Sequence, residues 1–204
     1  MTVATEDSLI AQRILEAAVH LFAHKGYDAT SIREITEAAG VTKPMLYYYF
    51  ENKEGLCRAI FARFLEQHHS RLREVLESET DPFELLVGVV WGAFDICRQN
   101  MDFARLFLAL YFSPEAQVGG VNLCEAPKEG LTLLEEAVNR VAKSGLIRPN
   151  CEAAISQAIN GMIHIWVITA LKEEGVTLTQ QLARQIVEDL LTGFGANKHG
   201  AGQE

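Results

Sequence analysis

Residues 31–50, SIREITEAAGVTKPMLYYYF, leave the chain little conformational choice. Ser31 and Glu34 have the spacing of a capping box, in which the serine side chain accepts from the third helical amide and the glutamate reaches back to the serine amide. Ile32, Ile35 and Ala39 then recur at helical spacing, and Gly40 stops the helix after about two turns. Thr42 is placed to cap a second helix, with Pro44 in its first turn, where a missing amide proton costs little. Val41 before that cap and Leu46 four positions after it form a hydrophobic staple, which sets the angle at which the chain enters the helix. The stretch is therefore two short helices joined by a glycine turn.

The rest of the chain repeats the helical period. β-branched alternation is missing and no hairpin is expected. Residues 8–25 carry Ile10, Ile14, Ala17, Ala18, Leu21 and Phe22 on one stripe, with Arg13, Glu16 and His20 off it and Gly26 as the stop. Asn52 caps a long helix to about residue 77. A helix over 83–99 is apolar all round from Leu85 to Phe94 and should lie at the centre. Short helices are expected over 102–112, ended by Ser113-Pro114, and up to about Ser144, with irregular chain over 115–128. A long apolar helix over 151–173 and a last helix over 178–191 follow. The expected class is all-α. A three-helix domain covers 1–51, a larger helical domain covers 52–194, and residues 195–204 form a disordered tail with residues 1–7 frayed.

Composition excludes several classes. With 204 residues, 49% hydrophobic and a net charge of −9, the chain can bury a core and is no polycation. Residues 1–50 hold four Lys/Arg against six Asp/Glu, a net −2, so any DNA affinity must come from placed groups and helix N-termini. The cysteines at 57, 97, 124 and 151 form no CxxC pair and read as reduced thiols in a cytoplasm. MTVATEDSLI has no apolar h-region, and uninterrupted apolar runs fall short of the ~18 residues that span a bilayer, so neither signal peptide nor membrane contact is expected. No nucleophile, base and orienting group stand at motif spacing, so no catalytic residue or cofactor is expected. Neighbouring His68 and His69 cannot share a helix face, and no metal site is expected.

Two helices around a glycine turn are the helix-turn-helix signature, whose second helix enters the major groove and offers its N-terminal residues to the bases. On the 42–50 helix, Leu46, Tyr49 and Phe50 turn inward while Lys43, Pro44, Tyr47 and Tyr48 share the opposite side. Tyrosine hydroxyls can donate to phosphate, and Lys43 suits guanine or phosphate. A plain helical hairpin with exposed aromatics has the same pattern.

The run GYDATSIREITEAAGVTKPMLYYYFENKEGL, residues 26–56, resembles the DNA-binding segment of TetR-type (tetracycline-repressor family) transcriptional regulators. The likeness covers about 50 residues and lies in an ordered set: glycine-tyrosine, capped helix, glycine turn, lysine, LYYYF, NKEGL. It implies a homodimer on a palindromic double-stranded operator and a C-terminal pocket for a small-molecule effector. Carried over residue by residue, it implies DNA contacts from Thr30, Ser31, Arg33, Thr42, Lys43, Pro44, Tyr47, Tyr48 and Lys53. Pro44 and Met45 stand where many members carry glycine-threonine, and Tyr49 where a histidine is frequent. By the same resemblance the helices 151–173 and 178–191 pack on their twins, with Leu178, Leu182, Ile186, Leu190 and Phe194 as the apolar edge.

For the effector, Gly88 and Gly92 in a buried helix each forgo roughly 1 kcal/mol against alanine, which implies a close approach by a helix or a ligand. Trp91, Phe94, Phe103, Phe107 and Tyr111, with Phe112, could line a cavity or simply be core. Gln157, Asn160 and His164 draw a polar stripe along 151–173 that faces either that cavity or a twin helix. The reading is a repressor released by a small apolar or amphipathic effector. A helical carrier that has lost DNA binding is the alternative, opposed by Lys43 and the exposed tyrosines. An enzyme acting at His164 lacks its partner groups.

Overall fold

The computed structural model describes residues 3–112, 117–122 and 125–193, with side chains from residue 8 onward. The elements are α1 (Val3–Lys25), α2 (Ile32–Ala39), α3 (Lys43–Phe50), α4 (Lys53–Ser78), α5 (Pro82–Gln99), α6 (Met101–Tyr111), β1 (Gln117–Val118), β2 (Val121–Asn122), α7 (Lys128–Lys143), α8 (Glu152–Lys172) and α9 (Gln180–Thr192). The Ser113-Pro114 stop, Cys124, Phe194 and the tail 195–204 lie outside the described residues. Helix α1 starts five residues earlier than the apolar stripe suggests.

Two apolar cores share α4. Its first half gives Leu56, Cys57, Ile60 and Phe61 to a core with Ile14, Ala18 and Phe22 of α1, Ile35 of α2 and Leu46 and Phe50 of α3. Its second half gives Leu72, Val75 and Leu76 to a larger core built on α5, α7, α8 and α9. Helix α5, apolar all round, sits in the middle of that core, with Leu85, Leu86, Val90 and Phe94 at 2% exposure or less. Helix α6 lies along α1 and sends Leu106 into the first core. Asp102 at its start meets two α1 histidines.

The glycines of α5 serve helix packing. A Cβ on Gly88 would stand 2.8 Å from Val75 Cγ1, and one on Gly92 3.1 Å from Arg71 Cγ, both on α4. Their place is the α4–α5 crossing, so of the two expected close approaches, helix or ligand, the structure shows the helix.

A two-stranded hairpin is a departure from the expected irregular segment. Val118 pairs with Val121 across Gly119 and Gly120, whose φ values of 55° and 72° suit the two-residue turn that favours Gly-Gly. The turn is seated against the first core. A Cβ on Gly119 would approach Cys57 Sγ to 2.6 Å and the Tyr27 ring to 2.8 Å. Two-residue strands are too short to show an alternating pattern, so only the Gly-Gly pair announced them.

Candidate nucleic-acid interface and effector core

The turn between α2 and α3 is held from both sides. Ser31 Oγ accepts from the Glu34 amide at 3.3 Å, and the Ser31 amide donates to Glu34 Oε2 at 2.9 Å, completing the capping box. Lys25 pairs with the same glutamate, and these donors hold its carboxyl down to about 2, led by the lysine. At the other end Gly40 is left-handed at φ 63°, and the Val41 amide returns to Thr36 O at 3.0 Å. Arg13 of α1 donates to the carbonyls of Ala39 and Gly40, a cation at the negative end of α2. That tie spans 26 residues of chain and has no local sequence signal.

Helix α3 then shows two faces. Leu46 and Phe50 are buried at 0% and 9% exposure, while Tyr47 and Tyr48 are 46% and 78% exposed. Thr42, Lys43 and Pro44 are exposed beside them. Tyr49 is half-buried, with its ring 5.0 Å from that of Tyr48 in an edge contact. Thr42 occupies the cap position with extended backbone, but its side chain makes no capping hydrogen bond. The expectation that it caps α3 is thus met by backbone position alone, and its hydroxyl stays available at the exposed helix start.

The flanking residues divide. Arg33 is exposed, with Nε donating to Glu37 Oε1 at 2.7 Å. Lys53 lies 4.2 Å from the Tyr27 ring centre and donates to Asp28 O at 3.3 Å, so it is held at the rim. Thr30 is 2% exposed and its hydroxyl donates to Gly26 O at 2.8 Å. Its side chain builds the turn after α1 and does not reach the surface. Ser31 is exposed, but its hydroxyl is shared with Glu34.

A row of rings runs from the first core on α4 through α6 to α8. Phe64 stacks on Phe103 at 4.1 Å, Phe61 meets Phe103 edge-on, Phe103 leads to Phe107, and Phe107 stacks on Tyr111 at 5.5 Å. His164 of α8 closes the row, 5.3 Å from Tyr111 and 6.4 Å from Phe107. This puts His164 against α6. Asn160, one turn earlier, is half-buried and Gln157 is exposed, so the polar stripe turns from solvent toward the rings along α8. Phe94 is fully buried core, and half-buried Trp91 carries Arg98 over its ring at 5.9 Å. Phe112, by contrast, is 63% exposed.

His68 and His69, read in the sequence only as an unsuitable metal pair, stand on α4 beside this row. Burial, with lesser pushes from His69 and His164, draws the His68 imidazole down to about 4. His69 is 5% exposed, with Nδ1 3.2 Å from Glu129 Oε2. A protonated His68 is favoured in the unfolded chain first, near the ordinary 6.5. Stability therefore stays full above pH 6.5, falls between 6.5 and about 4, and levels below. Between about pH 7 and 4, His68 should cost on the order of 2–3 kcal/mol in urea unfolding. In His68→Gln that part of the slope should vanish; an unchanged slope would show that His68 is not buried neutral.

The sequence pattern of "Bacterial regulatory proteins, tetR family" matches residues 14–60, from the middle of α1 to the first turns of α4. The HTH-type transcriptional repressor KstR2 of Mycobacterium tuberculosis is 33% identical over 183 residues, covering 89% of this chain and 90% of the relative. The chain belongs to the tetR family. It is a helix-turn-helix, DNA-binding transcriptional regulator. Its fold is shared over about nine-tenths of the chain with solved regulators of lower identity. FadR of Bacillus subtilis, solved in complex with stearoyl-CoA, is 23% identical with a TM-score of 0.75, covering 90% of this chain and 99% of that one. AibR, solved in complex with isovaleryl coenzyme A and operator DNA, is 24% identical with a TM-score of 0.67, covering 89% and 96%.

Proposed function

We propose that this tetR regulator is a cytoplasmic homodimeric repressor that reads a palindromic operator through α3 and leaves it on binding an acyl-CoA thioester. The observation that carries the DNA reading is the split of α3. Its buried Leu46 and Phe50 fix the helix, and its exposed Lys43, Pro44, Tyr47 and Tyr48 have no core role. Lys43 and Tyr47 are assigned to base edges and adjacent phosphates, and Thr42, Ser31, Arg33, Tyr48 and Lys53 to the backbone on either side. The repressor named KstR2, similar over nine-tenths of its length, supports negative control.

The dimer is assigned to α8 and α9. Helix α8 is long and apolar enough to cross a membrane, with mean hydropathy 1.4 in its most apolar window. The isolated polar residues Gln157, Asn160 and His164 interrupt its apolar runs without lowering that mean much. Only 17% of the window is buried within one chain, and Ile165 is 61% exposed. Ile155, Ile159, Met162 and Val167 of the same helix pack on the core, so the helix is half committed inward and half unpartnered. A second copy satisfies that outer half in water, where a long apolar face demands a partner.

The effector class rests on two relatives solved with acyl-CoA and on the ring row from Phe64 to His164, an apolar bed for an acyl chain. The rings touch one another, so acyl entry must part them, and that movement is the signal passed through α6 to α1. Fluorescence anisotropy with the DNA upstream of the protein's own gene tests both halves. Lys43→Ala and Tyr47→Ala should each weaken binding by roughly 10- to 100-fold, the ~1–3 kcal/mol of a lost base contact. Unchanged binding would refute the α3 assignment. Acyl-CoA, unlike free coenzyme A, should release the wild-type protein; equal effects of the two would refute the acyl bed.

A further inference from the structure

Helix α1 carries His20 and His24 one turn apart, on the side facing α6. Their rings lie 4.6 Å apart. His20 Nδ1 is 2.8 Å from Asp102 Oδ2, and His24 Nε2 is 2.8 Å from Asp102 Oδ1. One donor atom from each of the three residues falls within 4.8 Å of the other two. We propose that His20, His24 and Asp102 bind a divalent transition-metal ion of the Zn²⁺, Co²⁺ or Ni²⁺ class, which clamps α1 to α6.

The donor set decides the class of ion. Two imidazoles and one carboxylate suit borderline ions, whereas Mg²⁺ and Ca²⁺ favour all-oxygen shells. Histidines at i and i+4 place both rings on one face of a helix, a spacing that metal-binding helices use. The side chains of His20, His24 and Asp102 are 64%, 47% and 38% exposed, so an ion reaches them without unfolding. Their freedom to rotate also lets the three donors close to the ~2.0–2.2 Å of Zn–N and Zn–O bonds. A cleft of about 250 Å³, lined by Glu16 and Asp102, adjoins the cluster on the Asp102 side.

The alternative is a pair of surface ion contacts, which contribute little to stability. An ion contact needs only one histidine, and here two converge on a single carboxylate from a helix 78 residues away in the chain. The consequence reaches function through position. Helix α1 carries Arg13, which pins the α2–α3 turn, and α6 carries Phe103, Phe107 and Tyr111 of the ring row. An ion joining them restrains the path between effector and operator.

The test uses the full chain without a histidine tag, stripped of metal and titrated with Co²⁺ and Zn²⁺ by calorimetry and visible absorption. One ion per chain is expected, with a Co²⁺ spectrum free of thiolate charge transfer, because the proposed donors include none of the four cysteines. Asp102→Asn and His24→Ala should each weaken binding more than ~10-fold, and Cys151→Ala should not. X-ray absorption of the wild-type Zn²⁺ form should show a nitrogen/oxygen shell with two imidazoles, which holds the test even if a variant folds poorly. Absence of saturable binding, a sulfur ligand, or full affinity in both variants would overturn the proposal and leave only the ion contacts.

Discussion

Ile165→Glu should turn the dimer into a monomer and lower operator affinity by roughly 10²–10⁴-fold, the loss expected when two linked half-site contacts become one. Ile165 is 61% exposed in a single chain, so its own fold loses almost nothing when the side chain changes. In the proposed dimer the same position meets its twin or the twin's neighbour, since a twofold interface uses one patch on both subunits. A glutamate there is desolvated without a partner and faces a second glutamate nearby, a cost of ~2–5 kcal/mol for an unpaired buried charge. Light scattering at micromolar concentration reads the mass, thermal unfolding confirms the retained fold, and anisotropy reads DNA affinity. A variant that remains dimeric would move the interface off α8.

Gly55→Ala should destabilise the DNA-reading domain by about 3 kcal/mol, against the helix-propensity expectation. Alanine favours a helix over glycine by roughly 1 kcal/mol, and Gly55 lies in the first turn of α4, where propensity alone forecasts a gain. The turn from α3 to α4 reverses that sign. Only Glu51 and Asn52 join the helices, with Glu51 at φ 61°. Asn52 Oδ1 accepts from the Gly55 amide at 2.8 Å, which brings the start of α4 close to the end of α3. A Cβ on Gly55 would stand 2.1 Å from the Phe50 carbonyl oxygen, a backbone atom that cannot rotate away. Relief requires shifting α3, and with it Lys43 and Tyr47. Urea unfolding should show the loss, and operator binding should weaken as well. A stabilised variant with full DNA affinity would mean that the α3–α4 turn is free to relax.

The legible parts of this protein share one property: their physics is local. The capping box of Ser31 and Glu34, the left-handed Gly40, the Asn52 cap and the inward Leu46 and Phe50 each depend on residues within one or two turns, and all appear in place. The resemblance of residues 26–56 rests on the same short-range pattern, and the family was readable from it. The ring row was partly legible, since Phe103, Phe107 and Tyr111 repeat every four residues along α6, and His164 joins them. Residues whose type misled are explained by their burial and packing. Thr30 has a phosphate-binding residue type, but it is buried against Gly26. Gly88 and Gly92 hinted at a ligand, but Val75 and Arg71 occupy the space.

By itself the sequence determined an all-helical chain, the helix-turn-helix unit and which face of α3 is turned outward, because capping and periodicity are set by neighbouring residues. Only the tertiary structure decided that α4 belongs to both cores, that Arg13 holds the α2–α3 turn, that His164 faces α6, and that His20 and His24 meet Asp102. Each of these depends on chain segments 26 to 82 residues apart or on the packing of separate helices. The geometry that joins them comes from close packing of whole helices, and no local propensity encodes it.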